Sequence, residues 1–238
     1  MKTLSFEELR NNTYPGRGIL VGKSEDGKNA VMAYFIMGRS ANSRNRVFTV
    51  KGAGIITEAA DAAKVEDPSL IIYSPVRVLG DKTIVTNGDQ TDTVYDYLAA
   101  GKSFEAALRT RTFEPDGPNF TPRISALVTR ENGDFGYQMS ILKTDDGRQG
   151  SAQRFFFDYP KPLAGEGRFI HTYRCDGDPI PSFEGEPERV EIKGGIDAFS
   201  SRLWESLDAN NRISLFVRFL DLGSGKTEDR IINQYVKK

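Results

Sequence analysis

The chain has 238 residues, with 32 Lys and Arg against 33 Asp and Glu, a formal net charge of −1; this length allows one large core or two small ones. The charge balance excludes the global basic field that draws a protein to nucleic acid or to an acidic membrane, so any attraction for anions has to be local. The single cysteine, Cys175, cannot close an internal disulfide, and the single histidine, His171, cannot build a histidine-rich metal site, which makes a cytoplasmic, metal-free protein the expectation.

The N-terminal MKTLSFEELRNN carries Glu7 and Glu8 and no apolar stretch, so it does not read as a secretory signal, and no run approaches membrane-spanning length. Ser5 followed by Glu8 has the capping-box spacing and predicts a short helix from Ser5 to Asn11. Arg17 to Lys23 and Ala30 to Met37, separated by Glu25-Asp26-Gly27, predict a β-hairpin.

Beyond the hairpin, AYFIMGRSANSRNRVF crosses Gly38 into a loop carrying Arg39, Arg44 and Arg46. The guanidinium is planar, permanently charged and able to grip phosphate bidentately, so this density suggests a phosphorylated small molecule, although arginines of a solvated loop can equally pair with nearby carboxylates. Val47 to Val50 reads as a strand, broken at Gly52-Ala53-Gly54. Leu70 to Leu79 reads as another, with Pro75 tolerable only at an edge or bulge, and Thr83 to Thr86 as its return.

Asn87-Gly88-Asp89-Gln90-Thr91-Asp92 then runs into a helical pattern in which Val94, Tyr95 and Leu98 share a face and Gly101 closes the helix. Helix N-terminal amides favour an anion or a carbonyl oxygen, but capping is the expected task of Thr91 and Asp92. Ser103 opens a second helix through Arg109, and an irregular crossing rich in Pro and Gly leads to Thr121-Pro122-Arg123.

From Ile124 the pattern is a β-meander, over Ile124 to Thr129, Phe135 to Lys143 and Gln149 to Tyr159, followed by a strand over Arg168 to Arg174. The acidic DGDPIPSFEGEPE segment reads as a lid or an exposed excursion. Ile196, Phe199, Leu203, Trp204 and Leu207 recur at helical spacing and predict a helix over Ile196 to Asp208 pressed on a sheet. Ile213 to Leu222 and Arg230 to Val236 read as paired strands. The whole predicts an α+β layered sandwich in one domain, residues 1–238, with about 130–238 the less defined half.

Gly225-Lys226-Thr227 is not a phosphate loop, because that motif needs a glycine where Leu220 stands. His171 and Cys175 are each more often structural than catalytic when they occur singly. Tyr73 reads either as core or as a phenol at a strand end, and Glu114 as a solvated charge or a positioned base. Arg77 and Arg123 are two further candidate anion ligands.

Five motifs recur in register: YPGRGI at Tyr14 to Ile19, GRSANSR at Gly38 to Arg44, IIYSPVRVLGD at Ile71 to Asp81, TNGDQTD at Thr86 to Asp92, and FTPRI at Phe120 to Ile124. In order and spacing they resemble the archaeal-type inosine monophosphate (IMP) cyclohydrolase family, which also has bacterial members. The likeness covers the first half of the chain, with Thr172-Tyr173 familiar later. It implies a four-layer αββα sandwich like that of the N-terminal-nucleophile (Ntn) hydrolases, without the terminal nucleophile, as Met1-Lys2-Thr3 agrees.

It also implies closure of 5-formamidoimidazole-4-carboxamide ribonucleotide (FAICAR) to IMP with loss of water, with no cofactor, no metal, no nucleic-acid or membrane partner, and room for a homo-oligomer. Carried over by motif, Tyr73, Glu114 and Arg44 are the candidate catalytic residues. Tyr73 is the proton-handling or oxyanion-stabilising phenol, Glu114 the base or orienting carboxylate, and Arg44 a substrate-holding cation. Arg17, Arg39, Ser40, Arg77, Asn87, Gly88, Asp89, Thr121 and Arg123 are the candidate substrate-binding residues.

This chain has Gln90 where relatives often have His, and Phe120 where they have Asn, with Asn119 one place earlier. Two other readings remain: a purine-nucleotide-binding protein without the activity, and an amide hydrolase of the same fold.

Overall fold

The computed structural model describes residues 3–65, 68 and 72–237. In chain order, β1 (Thr3–Leu4) and α1 (Phe6–Leu9) lead into the hairpin β2 (Arg17–Lys23) and β3 (Asn29–Met37). Next come α2 (Ala41–Arg44), β4 (Val47–Lys51), β5 (Gly54–Glu58), β6 (Val76–Leu79), β7 (Lys82–Thr86), α3 (Gln90–Ala99) and α4 (Phe104–Leu108). The meander β8 (Arg123–Glu131), β9 (Asp134–Asp145) and β10 (Arg148–Tyr159) is followed by β11 (Glu166–His171), β12 (Glu188–Glu191), α5 (Ile196–Ser206), β13 (Arg212–Asp221) and β14 (Thr227–Asn233).

The strands form two seven-stranded sheets, ordered β1-β12-β11-β2-β3-β13-β14 and β10-β9-β8-β7-β6-β5-β4. The fold is therefore α+β, with two sheets and few helices. Strand β3 explains the packing. Its residues Asn29–Met37 read NAVMAYFIM, almost wholly apolar, because both faces are covered. Met32, Tyr34 and Ile36 join a core that includes Val85, Ala126 and Ile141 of the other sheet, whereas Val31, Ala33 and Phe35 meet Phe199 and Leu203 of α5. The outward residues of the second sheet, Ile84, Leu127 and Leu142, pack with Val94 of α3 and Phe104 of α4.

Local chemistry accounts for several element ends. Ser5 and Glu8 form the predicted capping box, with both reciprocal bonds at 3.1 Å, and Ser103 caps α4. Helix α3 departs from expectation. Asp89 is its N-cap residue without a side-chain bond, the Thr91 hydroxyl donates to the Gly88 carbonyl and Asp92 pairs with Arg77. Thr91 and Asp92 sit inside the first turn, two and three positions past the N-cap Asp89, too deep to cap it.

Strand β5 is an element missed in the sequence, since Gly54 starts it directly after the Gly52 turn. The strand expected over Leu70 to Leu79 begins only at Val76. Leu70 and Ile71 lie outside the described residues, as do Met1 and Lys2, which bear on the terminal-nucleophile reading. Tyr73 is drawn aside by Thr57, whose hydroxyl accepts from Tyr73 N and whose backbone N–H donates to Tyr73 O, each at 2.9 Å. The acidic segment is tied down at its far end, where Glu188–Glu191 forms β12 between β11 and β1.

Candidate active site

Arg17 opens β2, and its backbone is fastened to the chain just past β11. Its N–H donates to Thr172 Oγ1 at 3.1 Å, and its carbonyl accepts from Thr172 N at 2.9 Å. Gly16 permits this approach: a Cβ there would lie 2.2 Å from Thr172 Oγ1, and its φ is +78°. The Arg17 side chain turns inward, with Nη1 3.4 Å from Glu114 Oε2. Burial opposes the Arg17 charge, but Glu114 and the surrounding phenols hold it firmly protonated. Burial raises the Glu114 pKa above the ordinary carboxylate range, with Arg17 and Arg123 opposing that shift.

Glu114 is held by a short clamp. Its backbone N–H donates to Thr121 O at 2.9 Å, and Phe113 and Phe120 pack edge to face with ring centres 5.6 Å apart. Asp116 accepts from Thr121 N at 2.6 Å and also from the Thr121 hydroxyl. That hydroxyl meets Tyr173 Oη at 2.6 Å, and burial pushes the Tyr173 phenol upward. Phe120 takes the left-handed conformation at φ 43°, which turns the chain tightly enough to close the clamp.

The second group is phenolic. Tyr34 Oη lies 2.7 Å from Tyr73 Oη, and both residues are buried. Arg46 is nearly enclosed at 1 % exposure; its Nε donates to Ser43 O at 2.8 Å, while Nη1 is buried without a hydrogen-bond partner. Burial, and then the neighbouring Arg17 charge, lower the Arg46 pKa. Arg17 Nε is likewise buried and unpaired. Two guanidiniums therefore face a cluster in which Glu114 is the carboxylate bonded to Arg17, an arrangement suited to an anionic or strongly polar guest.

The third group is built from the start of α3 and of β8. Arg123 Nη1 lies 2.7 Å from both Gln90 Oε1 and Asp89 Oδ1. Gln90 donates in turn to Asn87 Oδ1 at 2.9 Å and Ile124 O at 3.2 Å. Burial opposes the Asp89 charge, yet Arg111 and Arg123 hold its pKa below the ordinary value. A Cβ on Gly88 would sit 2.6 Å from Arg123 Nη1 and 3.4 Å from Glu114 Oε1, so Gly88 lies between the Arg123 and Glu114 side chains. The Asn87 amide is thus committed within the protein, donating to Pro122 O and accepting from Ile124 N as well as from Gln90.

Of the residues singled out in the sequence, Arg17, Tyr73, Gly88, Asp89, Glu114, Thr121 and Arg123 thus come together. Arg39 stands at their edge. Its guanidinium lies 5.1 Å over the Tyr14 ring, which stacks on Tyr173, and pairs with Asp176 at 2.5 Å. Others turn elsewhere. Ser40 caps α2, Arg44 donates to Gly38 O and Asn211 Oδ1, and Arg77 pairs with Asp92 while lying 3.5 Å over the Tyr95 ring.

Tyr34 and Asp116 join the site without having been chosen from the sequence; Arg46, one of the three arginines of the loop after Gly38, and Tyr173, noted beside Thr172, join it without having been assigned a role. Tyr34 carried only one signal, a hydroxyl on the inward face of an apolar strand. No group of three or more His, Cys, Asp or Glu suited to a metal ion occurs among the described residues, and no helix among them is long and apolar enough to cross a membrane.

Two sheets enclose a buried cluster of arginines, phenols and the Glu114 carboxyl, the kind of arrangement that suits an anionic, polar small molecule. The chain belongs to the IMP cyclohydrolase-like protein family, whose model matches residues 14–225. It is 29% identical over 193 residues to an IMP cyclohydrolase of Methanopyrus kandleri, covering 72% of this chain and 89% of the relative. It is 31% identical over 165 residues to one from Methanosphaera stadtmanae, covering 67% and 73%. With one from Methanococcus maripaludis it shares 30% over 129 residues, 52% of this chain and 62% of the relative.

Proposed function

We propose that this protein is an IMP cyclohydrolase, closing the formamido ribonucleotide FAICAR to IMP in purine biosynthesis. The observation that carries the reading is the buried Glu114 carboxyl, set against Arg17 and beside Arg123, with the Tyr34–Tyr73 phenol pair in the same electrostatic cluster. It is a set able to accept and return protons without bulk water. Family membership supplies the substrate class.

Ring closure joins the carboxamide nitrogen to the formyl carbon. The nitrogen is a poor nucleophile, so its proton must be taken as the bond forms, and the formyl oxygen must be stabilised or protonated. In this reading Glu114 accepts the nitrogen proton and Tyr73 gives its proton to the formyl oxygen, leaving a hydroxyl on the new ring carbon. Glu114 then protonates that hydroxyl, which departs as water. The Tyr73 phenolate takes the proton of the former formamido nitrogen as the C=N bond forms. Both residues end as they began, and the water carries the formyl oxygen and one hydrogen from each nitrogen.

Arg17, Gly88, Asp89, Thr121 and Arg123 surround the guest. Asn87 supports them through β8. Arg39 enters as an outer arm whose present partner Asp176 a phosphate would replace, whereas Ser40, Arg44 and Arg77 keep the partners described above. The layering of helices outside two facing sheets supports a four-layer αββα sandwich related to the Ntn-hydrolases, formed by residues 1–238 as one unit. Such an enzyme is expected to work in the cytoplasm.

The test is an ultraviolet assay of ring closure with purified protein and FAICAR. Turnover above the uncatalysed rate is the expected result. Tight IMP binding with no such turnover would leave a nucleotide-binding protein and remove the enzyme.

A further inference from the structure

The two phenols of the site are not equivalent. Tyr34 belongs to β3, is fully enclosed, and its ring stacks on Phe48 with centres 5.5 Å apart. Tyr73 lies in the irregular stretch before β6, retains slight exposure, and has its backbone clamped by Thr57. One hydrogen bond joins their oxygens, so one hydroxyl must donate and the other accept.

If Tyr73 donated, the proton of the fully enclosed Tyr34 would need an acceptor of its own, and among the described residues the Tyr34 hydroxyl has no hydrogen-bond partner besides Tyr73 Oη. A buried donor with no acceptor is costly, whereas donation by Tyr34 satisfies that group and leaves the more accessible phenol with a free proton. We propose that Tyr34 is a positioning residue for Tyr73: its hydroxyl donates to Tyr73 Oη and turns the single proton of Tyr73 away from the core, toward the substrate. This rests on the ring-closure reading and adds to it a source of orientation for the proton donor.

The surroundings support the assignment. The ionisable groups acting on Tyr34 besides Tyr73 are Arg17 from β2 and Arg46 from the segment before β4; Tyr173 and Glu114 act on Arg17, and Tyr14 acts on Arg46. Burial, followed by the influence of Tyr73, pushes the Tyr34 pKa well above the ordinary phenol value, so Tyr34 keeps its proton. A phenolate left on Tyr73 after donation would accept from Tyr34 and lie in the field of two cations. The proton that Tyr73 gives to the formyl oxygen returns from the formamido nitrogen, so Tyr34 itself never ionises.

The experiment compares wild type, Tyr34→Phe and wild-type protein carrying 3-fluorotyrosine at position 34, a donor of the same shape and greater acidity. Tyr34→Phe should lower kcat by about tenfold to a hundredfold, with KM within about threefold. It should also move the alkaline limb of the rate profile to higher pH, because the Tyr73 phenolate loses a donor. Fluorotyrosine should move the same limb to lower pH. A folded Tyr34→Phe with unchanged kcat, or a limb unmoved by both changes, overturns the proposal.

Should Tyr34→Phe fail to fold, the fluorotyrosine shift decides alone. Should wild type lack turnover, the ring-closure reading falls by itself. The ultraviolet titration step lost in Tyr73→Phe then reports on the pair, and its failure to move with fluorotyrosine overturns the positioning role.

Discussion

The Arg17 guanidinium lies 3.4 Å from the Glu114 carboxylate although the two residues are 97 positions apart. One opens a strand of the first sheet, and the other sits in a loop leading to the second. The ion pair therefore couples the two halves of the site. It also sets the charge state of the proposed base, because burial favours the neutral acid and Arg17 favours the carboxylate.

Glu114→Gln should lower kcat by about 10²- to 10⁴-fold, with a smaller change in KM, as expected for loss of a general base. The base works ionised, so the wild-type rate should rise with pH through a pKa above the ordinary carboxylate value of about 4. Steady-state rates across pH check this, and the acid limb should vanish from the residual activity of the variant.

Arg17→Gln should cost as much as about 3–5 kcal/mol of unfolding free energy near neutrality, because a buried carboxyl loses its bonded cation. Without Arg17 the folded-state pKa of Glu114 rises further above its unfolded value, so the folded form binds the proton more tightly. Stability should be retained at low pH and fall as pH rises through the window between those two values. Urea unfolding across pH measures the slope, and adding Glu114→Gln should restore much of the loss near neutrality.

Gln90→Leu keeps the volume but removes the acceptor for Arg123 and the donor to Asn87 and Ile124. The expected loss is about 1–3 kcal/mol for buried groups left unpaired, accompanied by a raised KM as Arg123 loses its fixed direction. Chemical unfolding and steady-state kinetics on the same preparation check both. A KM equal to wild type would remove Arg123 from substrate binding.

Arg39→Ala should raise KM by about two- to fivefold with little change in kcat, the scale of a partly exposed charge contact. The difference from wild type should shrink as salt is added, since an exposed electrostatic contribution is screened within about 10 Å at 0.1 M ionic strength. Kinetics at several salt concentrations measure it.

Much of the frame was legible from local pattern. The hairpin of Arg17–Lys23 with Asn29–Met37, the box between Ser5 and Glu8, the meander from Arg123 to Tyr159 and helix Ile196–Ser206 each follow from periodicity, turn residues or caps, because those signals act within a few residues. Strand β5 was not legible, since two glycines so close to its start mask the alternation that follows. The shortened β6 depends on Thr57 reaching across to Tyr73.

By itself the sequence determined the antiparallel frame, the apolar faces and the supply of arginines, phenols and carboxylates, all properties of near neighbours along the chain. The tertiary structure alone decided which of them meet. It brought Glu114 to Arg17 and Tyr34 to Tyr73, committed Asn87 to backbone and to Gln90, and directed Arg44 and Arg77 to Asn211 and Asp92. The reason is that burial and like-charge proximity depend on where two sheets pack together, and an arginine bears the same charge whether its partner is solvent, a carboxylate or a substrate.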